Sequence, residues 1–258
     1  MSTEYCKAER DGHLLIVTMN RPERMNALHP PANFELAKIF DEFAADPDLW
    51  VAIITGAGDR AFSAGNDLKY QAGGNKIEVP PTGFAGLTGR YGLTKPVIAA
   101  VNGIAMGGGF EIALACDLIV ASENAVFALP EPKVGIAALV GGLHRLPRQI
   151  PLKQAMGMIL TGRQVSAAEG KELGFVNEVV PEGEAVNAAR RWAEQIMECS
   201  PMSIRASKES VYRGLDEADL EKAINGRYPA VAALLHSEDI IEGPRAFAEK
   251  RKPQWKGK

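Results

Sequence analysis

A chain of 258 residues, 46% apolar and 24% charged with a net charge of -3, has the balance of a globular protein able to bury a substantial core. No apolar run reaches the ~18 residues of a membrane span, and the small net charge with dispersed basic residues disfavours nucleic acid as the main partner. The start, MSTEYCKAERDG, has no apolar signal segment, so the expected location is cytoplasmic.

In chain order, HLLIVT (13–18) is a strand followed by the turn signal NRPE. Residues 32–45 put Phe34, Ala37, Ile39, Phe40 and Phe43 on one helical face, and Asp46-Pro47-Asp48 ends that helix. WVAIIT (50–55) is apolar throughout, the pattern of a strand covered on both faces. GAGDRAFSAGNDL follows, a small-residue loop with a helix start near Asn66 or Asp67. Residues 72–90 are rich in Gly and Pro without a period, which fits a mobile pocket wall or lid and equally a surface insertion.

The central stretch, 95–139, contains a strand (96–101), three consecutive glycines (Gly107, Gly108, Gly109) and a helix from about Phe110. A second apolar strand (118–121) leads to a loop where Glu131 stands between Pro130 and Pro132. Glu111 falls in the first turn of the helix, and Glu131 on a proline-stiffened loop. Beyond lie a helix (152–160), a helix capped by Ser166, and a short strand (175–180). From residue 182 the pattern is helical only: 184–199, 203–214, 216–235 and 240–250. The division expected is an α/β core over 1–200 and a helical appendage over 201–258, whose apolar side serves either an oligomer contact or packing on its own core.

Several chemistries lack their signatures. Cys6, Cys116 and Cys199 have no metal-ligand or CxxC spacing, and His13, His29, His144 and His236 form no HExxH, so no metal site is expected. Ile112 stands where GxGxxG needs its last glycine, GxxxxGK[ST] does not occur, and Ser63 in AFSAG lacks the first glycine of a nucleophile elbow. His144 alone lies near the central stretch, and a lone histidine of this kind is more often structural than catalytic. What remains suits thioester chemistry. A helix N-terminus exposes unpaired N–H groups with partial positive charge, glycines before it permit close approach, and the loop Ala64-Gly65-Asn66-Asp67 also runs from a buried strand into a helix start. Two N–H groups converging from these places could hold a carbonyl oxygen as it becomes an enolate.

The motifs NRPERMNAL (20–28), ITGAGDRAFSAGNDL (54–68), KPVIAAVNGIAMGGGFEIALACD (95–117), FALPEPKVGI (127–136), LTGR (160–163) and the tail SEDIIEGPRAFAEKRKPQWKG (237–257) occur in this order. The chain thereby resembles the crotonase superfamily of enoyl-CoA hydratases and isomerases over essentially its full length. GFAGLT, FEIALACD, FALPEPKVGI and the tail most resemble the carnitinyl-CoA dehydratase branch. The resemblance implies an α/β fold, a spiral of ββα units with a helical C-terminal region, assembled as a homotrimer or homohexamer. It implies an acyl-CoA thioester substrate and no cofactor beyond the coenzyme A that the substrate carries. The oxyanion hole maps onto the N–H groups of Asn66 and Gly108, coenzyme A and substrate contacts onto Met25, Ala27, Ala64, Gly65, Asp67 and Leu68, and the two hydratase acids onto Glu111 and Glu131.

Hydration of a 2-enoyl thioester needs a base to activate water at C3, an acid to protonate C2 and support for the thioester oxygen. Two carboxyl groups sharing one water supply the proton handling, because mutual repulsion keeps one proton between them. Glu111 is assigned to the water and Glu131 to C2. An isomerase needs only one shuttling acid, which the family can place at the Glu131 position, so the pair favours hydration. An isomerase or other crotonase-type lyase, carnitinyl-CoA dehydratase included, and a non-catalytic acyl-CoA-binding member are the alternatives. One departure bears on the substrate: many hydratases of this family carry a proline and a small residue before the glycine pair, whereas here the run Ile136-Ala137-Ala138-Leu139-Val140 is apolar. It implies a greasier acyl site, and no aromatic cage for a quaternary ammonium is recognisable.

Overall fold

The computed structural model describes residues 3–76 and 78–258. The chain opens with an antiparallel hairpin, β1 (Cys6–Asp11) and β2 (Leu14–Met19), and then α1 (Pro30–Ala45). Three repeats follow, each sending one strand into each of two sheets: β3 (Val51–Gly56), β4 (Ala61–Ser63) and α2 (Leu68–Ala72); β5 (Val97–Val101), β6 (Ile104–Met106) and α3 (Gly108–Ala115); β7 (Leu118–Ser122), β8 (Val126–Ala128) and, after a 3-10 turn over Glu131–Val134, α4 (Gly142–Gln149). Next come α5 (Leu152–Thr161), β9 (Val165–Ser166), α6 (Ala167–Leu173), β10 (Glu178–Val180) and α7 (Ala185–Met197). The C-terminal region is helical: α8 (Pro201–Leu215), α9 (Leu220–Ile224), α10 (Pro229–Leu235) and α11 (Asp239–Ala248). The six-stranded sheet has the order β1-β2-β3-β5-β7-β10, parallel from β2 onward, and the four-stranded sheet the order β4-β6-β8-β9. This is the ββα spiral with a helical C-terminal region that the resemblance implies.

Alternation explains why the central strands read as unbroken apolar runs. Successive side chains of a strand point to opposite faces. Ala52 and Ile54 face the core with α1 and α3, while Val51 and Ile53 face the other way, under Ala185, Ala188, Ala189 and Ala193 of α7. The small alanines let α7 lie close on the sheet. Inside the spiral Phe110, Phe127 and Phe175 meet with ring centroids 5.1–5.2 Å apart. Each such buried ring contributes about 1.5–3 kcal/mol through area removed from water.

The C-terminal helices are tied to the core by charge-assisted bonds. Lys208 Nζ on α8 donates to the Lys95 carbonyl at 2.8 Å and to Asp117 Oδ2 at 2.7 Å, and the same carboxylate oxygen accepts the Val97 N–H. Asp239 accepts from Ser200 Oγ and from the Lys256 N–H, drawing the tail back over α8.

Two expectations are corrected in detail, and two elements had not been expected at all. The single helix over 216–235 is two, because Pro229 lacks an N–H and its ring would clash with the preceding turn. β1 carries charged, exposed residues and pairs only with β2, so its pattern signals no burial. α4 contains Pro147 and begins at a glycine without a side-chain cap, and neither feature announces a helix. Of 175–180, only Glu178–Val180 is strand. In the 72–90 segment, residue 77 lies outside the described residues. Residues 71–76, 78 and 79 are exposed, while Phe84–Thr88 is buried, with Asn33 Oδ1 accepting the Ala85 N–H at 2.7 Å. Its second half is a packed wall.

Candidate active site

The start of α3 is built around glycines for steric reasons. Gly107 has φ +53, and a Cβ there would lie 2.8 Å from Glu131 Oε1. A Cβ on Gly108 would meet the Phe84 ring at 2.7 Å, and one on Gly109 would collide with the Ser63 carbonyl. On the facing loop Gly65 has φ +82, and a Cβ would stand 2.7 Å from the Gly108 nitrogen. Backbone therefore meets backbone, bringing the Asn66 loop against the first turn of α3. Among the described residues, the Asn66 and Gly108 N–H groups have no hydrogen-bond acceptor.

The segment expected to hold coenzyme A is also assembled. The Ala64 N–H donates to the Met25 carbonyl at 2.9 Å, the Leu28 N–H to Gly65 at 2.7 Å, and the Asp67 N–H to Leu28 at 3.0 Å. Met25, Ala27, Ala64, Gly65, Asp67 and Leu68 thus lie on two strips zipped side by side. The Asp67 carboxylate is already engaged: it caps α2 through the Tyr70 N–H and accepts Arg21 Nη1 at 3.0 Å. Burial opposes its charge, but the Tyr70 and Arg21 bonds outweigh that and lower its pKa. Its observed contacts hold the loop, and Leu68 beside it is half exposed.

Both acids are buried, Glu111 at 2% and Glu131 at 7% exposure. Glu111 Oε1 accepts the Gly142 N–H, the first residue of α4, at 2.8 Å. Burial pushes the Glu111 carboxyl up to about 7; the Gly142 N–H opposes this, the charge of Glu131 adds to it, and Arg145 weakly counters it. Burial also raises Glu131, whose Oε2 has no hydrogen-bond partner. A buried carboxylate oxygen without a donor is costly.

Several contributors were not legible as site residues. Asn26, at φ +53, donates from its buried amide to the Ala57 and Ala61 carbonyls, while Ser63 Oγ bonds both the Asn26 carbonyl and the Gly65 N–H. Gly142 holds Glu111, and Phe84 props Gly108. Arg145 reaches from α4 to the Thr88 carbonyl at 2.8 Å, joining the turn that holds Glu111 to the wall that carries Phe84. The glycine pair at the start of α4 was the one sequence signal for this corner. His144 is exposed on the same helix.

Two sheets wound from ββα repeats, with two buried acids beside free N–H groups at a glycine-built helix start, define an α/β enzyme scaffold of the crotonase type. The sequence profile of the enoyl-CoA hydratase/isomerase family matches residues 9–258. The chain is 48% identical to carnitinyl-CoA dehydratase of Escherichia coli (strain K12) over 258 residues, covering 96% of this chain and 97% of that protein. Among solved structures, an enoyl-CoA hydratase from Mycobacterium tuberculosis H37Rv superposes with a TM-score of 0.93 at 39% identity, covering 99% of this chain and all of that one. A carnitinyl-CoA hydratase from Mycobacterium avium gives 0.79 at 41% identity, with both chains fully covered. The protein belongs to the enoyl-CoA hydratase/isomerase family. It is an enzyme, a hydro-lyase by these relationships, with the family's hydratase/isomerase chemistry on an acyl-CoA substrate. Among the described residues no helix is long and apolar enough to cross a membrane.

Proposed function

We propose that this enzyme adds water across, or removes it from, the 2,3 double bond of an acyl-CoA thioester, using Glu111, Glu131 and the N–H groups of Asn66 and Gly108. The observation that carries the reading is the convergence of two buried, charge-disfavoured carboxyls on the glycine-built start of α3. The thioester oxygen accepts the two N–H groups. Glu111, ionised, takes a proton from water as the oxygen of that water bonds to C3, and the double-bond electrons move into an enolate. Glu131, protonated, delivers its proton to C2 and the carbonyl reforms. The proton gained by Glu111 then returns to Glu131, directly or by exchange through solvent, closing the cycle.

The test is hydration of crotonyl-CoA, followed as loss of enoyl-thioester absorbance; a folded protein that leaves it unchanged rejects the proposal. The same assay carries a pH dependence. A carboxyl held at about 7 is protonated below that value and cannot act as base. Activity is expected to rise through pH ~7 and to fall about tenfold per unit well below it. Because Arg145 favours the ionised form, Arg145→Met is expected to move this limb to higher pH. A rate independent of pH between 5 and 8 would remove Glu111 as the base.

The assembly implied by the resemblance, a trimer or hexamer, belongs to this reading. The C-terminal helices leave Leu220, Ile224, Ile241 and Phe247 largely exposed, while Ala230, Val231 and Leu234 are half-buried. Apolar side chains so placed suit contact with a second copy. The double variant Ile224→Glu/Phe247→Glu alters no buried residue and is expected to sediment as a smaller species; an unchanged assembly would exclude this face.

A further inference from the structure

From Glu131 the chain reaches Gly142, whose N–H holds Glu111, through the apolar segment 136–140. Its middle residue, Ala138, is buried, with its Cβ 3.0 Å from where a Cβ on Gly142 would be; the same point lies 3.1 Å from Glu111 Cγ. The segment therefore touches the turn that holds Glu111. Backbone bonds from Ile136 N–H to Glu131 and from Leu139 N–H to Ala137 hold it in a tight curl. On either side of Ala138 the curl turns out Ile136, 49% exposed, and Leu139, 77% exposed. A loop that buries an alanine while displaying a leucine gains nothing for its own stability from that leucine. Its apolar surface is left uncovered one residue from the contact with the turn that holds Glu111.

The charges around this corner point the same way. Burial disfavours Glu111 and Glu131 as anions, and Glu111 when ionised is already faced by the Gly142 N–H and by Arg145. On the cationic side, Arg145 lies in the field of Glu111, and Lys133 stands on the same 3-10 turn as Glu131. Of the rings nearby, Phe84 is buried against Gly108, and the exposed Tyr91 already carries the Arg145 guanidinium over its face at 5.8 Å. A quaternary ammonium needs a ring face or an unengaged anion to replace its water, and this corner provides a leucine, an isoleucine, competing cations and a Glu111 carboxylate already bonded to Gly142.

Resting on the hydratase reading above, we propose that Leu139, with Ile136, forms the acyl-facing wall and selects an uncharged, apolar acyl chain, so that this enzyme discriminates against the trimethylammonium-bearing acyl groups named for its 48%-identical relatives. Leu139 is the specificity-determining residue and takes no part in proton transfer.

The test uses two thioesters of equal shape that differ in charge, 5,5-dimethylhexanoyl-CoA and 4-trimethylammoniobutanoyl-CoA. Neither has a double bond, so calorimetric affinity is measured on the full-length protein without turnover. The neutral ligand is expected to bind about tenfold tighter or more, the size of effect one apolar contact supplies. Leu139→Asp is expected to reverse or abolish that preference, whereas Leu139→Asn, polar but uncharged, weakens the neutral ligand without strengthening the cation. Equal affinities in the wild-type protein, or a preference for the cation, overturn the proposal, as does a wild-type preference that Leu139→Asp leaves intact. Failure to hydrate crotonyl-CoA would sink the hydratase reading separately, since these affinities do not depend on turnover.

Discussion

Replacing Glu111 or Glu131 by glutamine is expected to lower hydration of crotonyl-CoA by ~10²–10⁴-fold in each case, the usual worth of a general acid or base. Glutamine keeps size and reach but cannot exchange a proton near neutral pH. At Glu111 it also keeps a carbonyl oxygen to accept the Gly142 N–H at 2.8 Å, so the turn before α4 stays in place. At Glu131 the change replaces a buried oxygen that has no partner, and the protein pays little for it. Both variants are therefore expected to fold and to bind a saturated acyl-CoA as the wild type does. Because both groups act on one event, the double variant is expected to lose far less than the product of the single losses. Rates and calorimetric affinities for the three variants decide the matter. An inactive Glu131→Gln beside a Glu111→Gln that still moves the double bond of a 3-enoyl-CoA would identify an isomerase. Wild-type hydration by both single variants would end the assignment.

Removing the Gly108 N–H is the second large effect. Gly108 is the first residue of α3, a position where proline is tolerated because its N–H has no helical partner. The positive φ belongs to Gly107, so a proline at 108 does not meet that strain directly. It does meet Phe84, whose ring lies 2.7 Å from the site of a Cβ. Gly108→Ala suffers the same crowding but keeps the N–H, which makes it the control. Loss of one oxyanion donor costs ~2.7–4 kcal/mol of transition-state stabilisation, or ~10²–10³-fold in kcat. Gly108→Pro is expected to fall below Gly108→Ala by that factor at similar acyl-CoA affinity. Equal kcat in the two folded variants would exclude Gly108 as a donor.

Local chemistry made much of the protein legible from its sequence. The central strands announced themselves because burial on both faces demands an unbroken apolar run, as in Val51 to Ile54. Helix starts at Asp67 and Ser166 followed from side chains that do cap N–H groups, those of Tyr70 and Glu169. Glu111, Glu131 and the glycine triplet were visible as residues, but the helix dipole alone favours an acid in a first turn and glycine-rich turns are common, so their roles came from the motif order. The motif order identified the family, and with it the spiral of repeats, which periodicity alone could not order. The contacts among distant residues were decided only by the tertiary structure. Gly65 meets Gly108 because two loops from different repeats close on each other, and nothing local to either loop specifies that approach. Helix α4 forms despite Pro147 and an uncapped start, since Leu146 buries and the Gly142 N–H finds the Glu111 carboxylate. The raised pKa of Glu111 has the same origin. It is a property of burial by residues scattered along the chain, and only the folded arrangement supplies it.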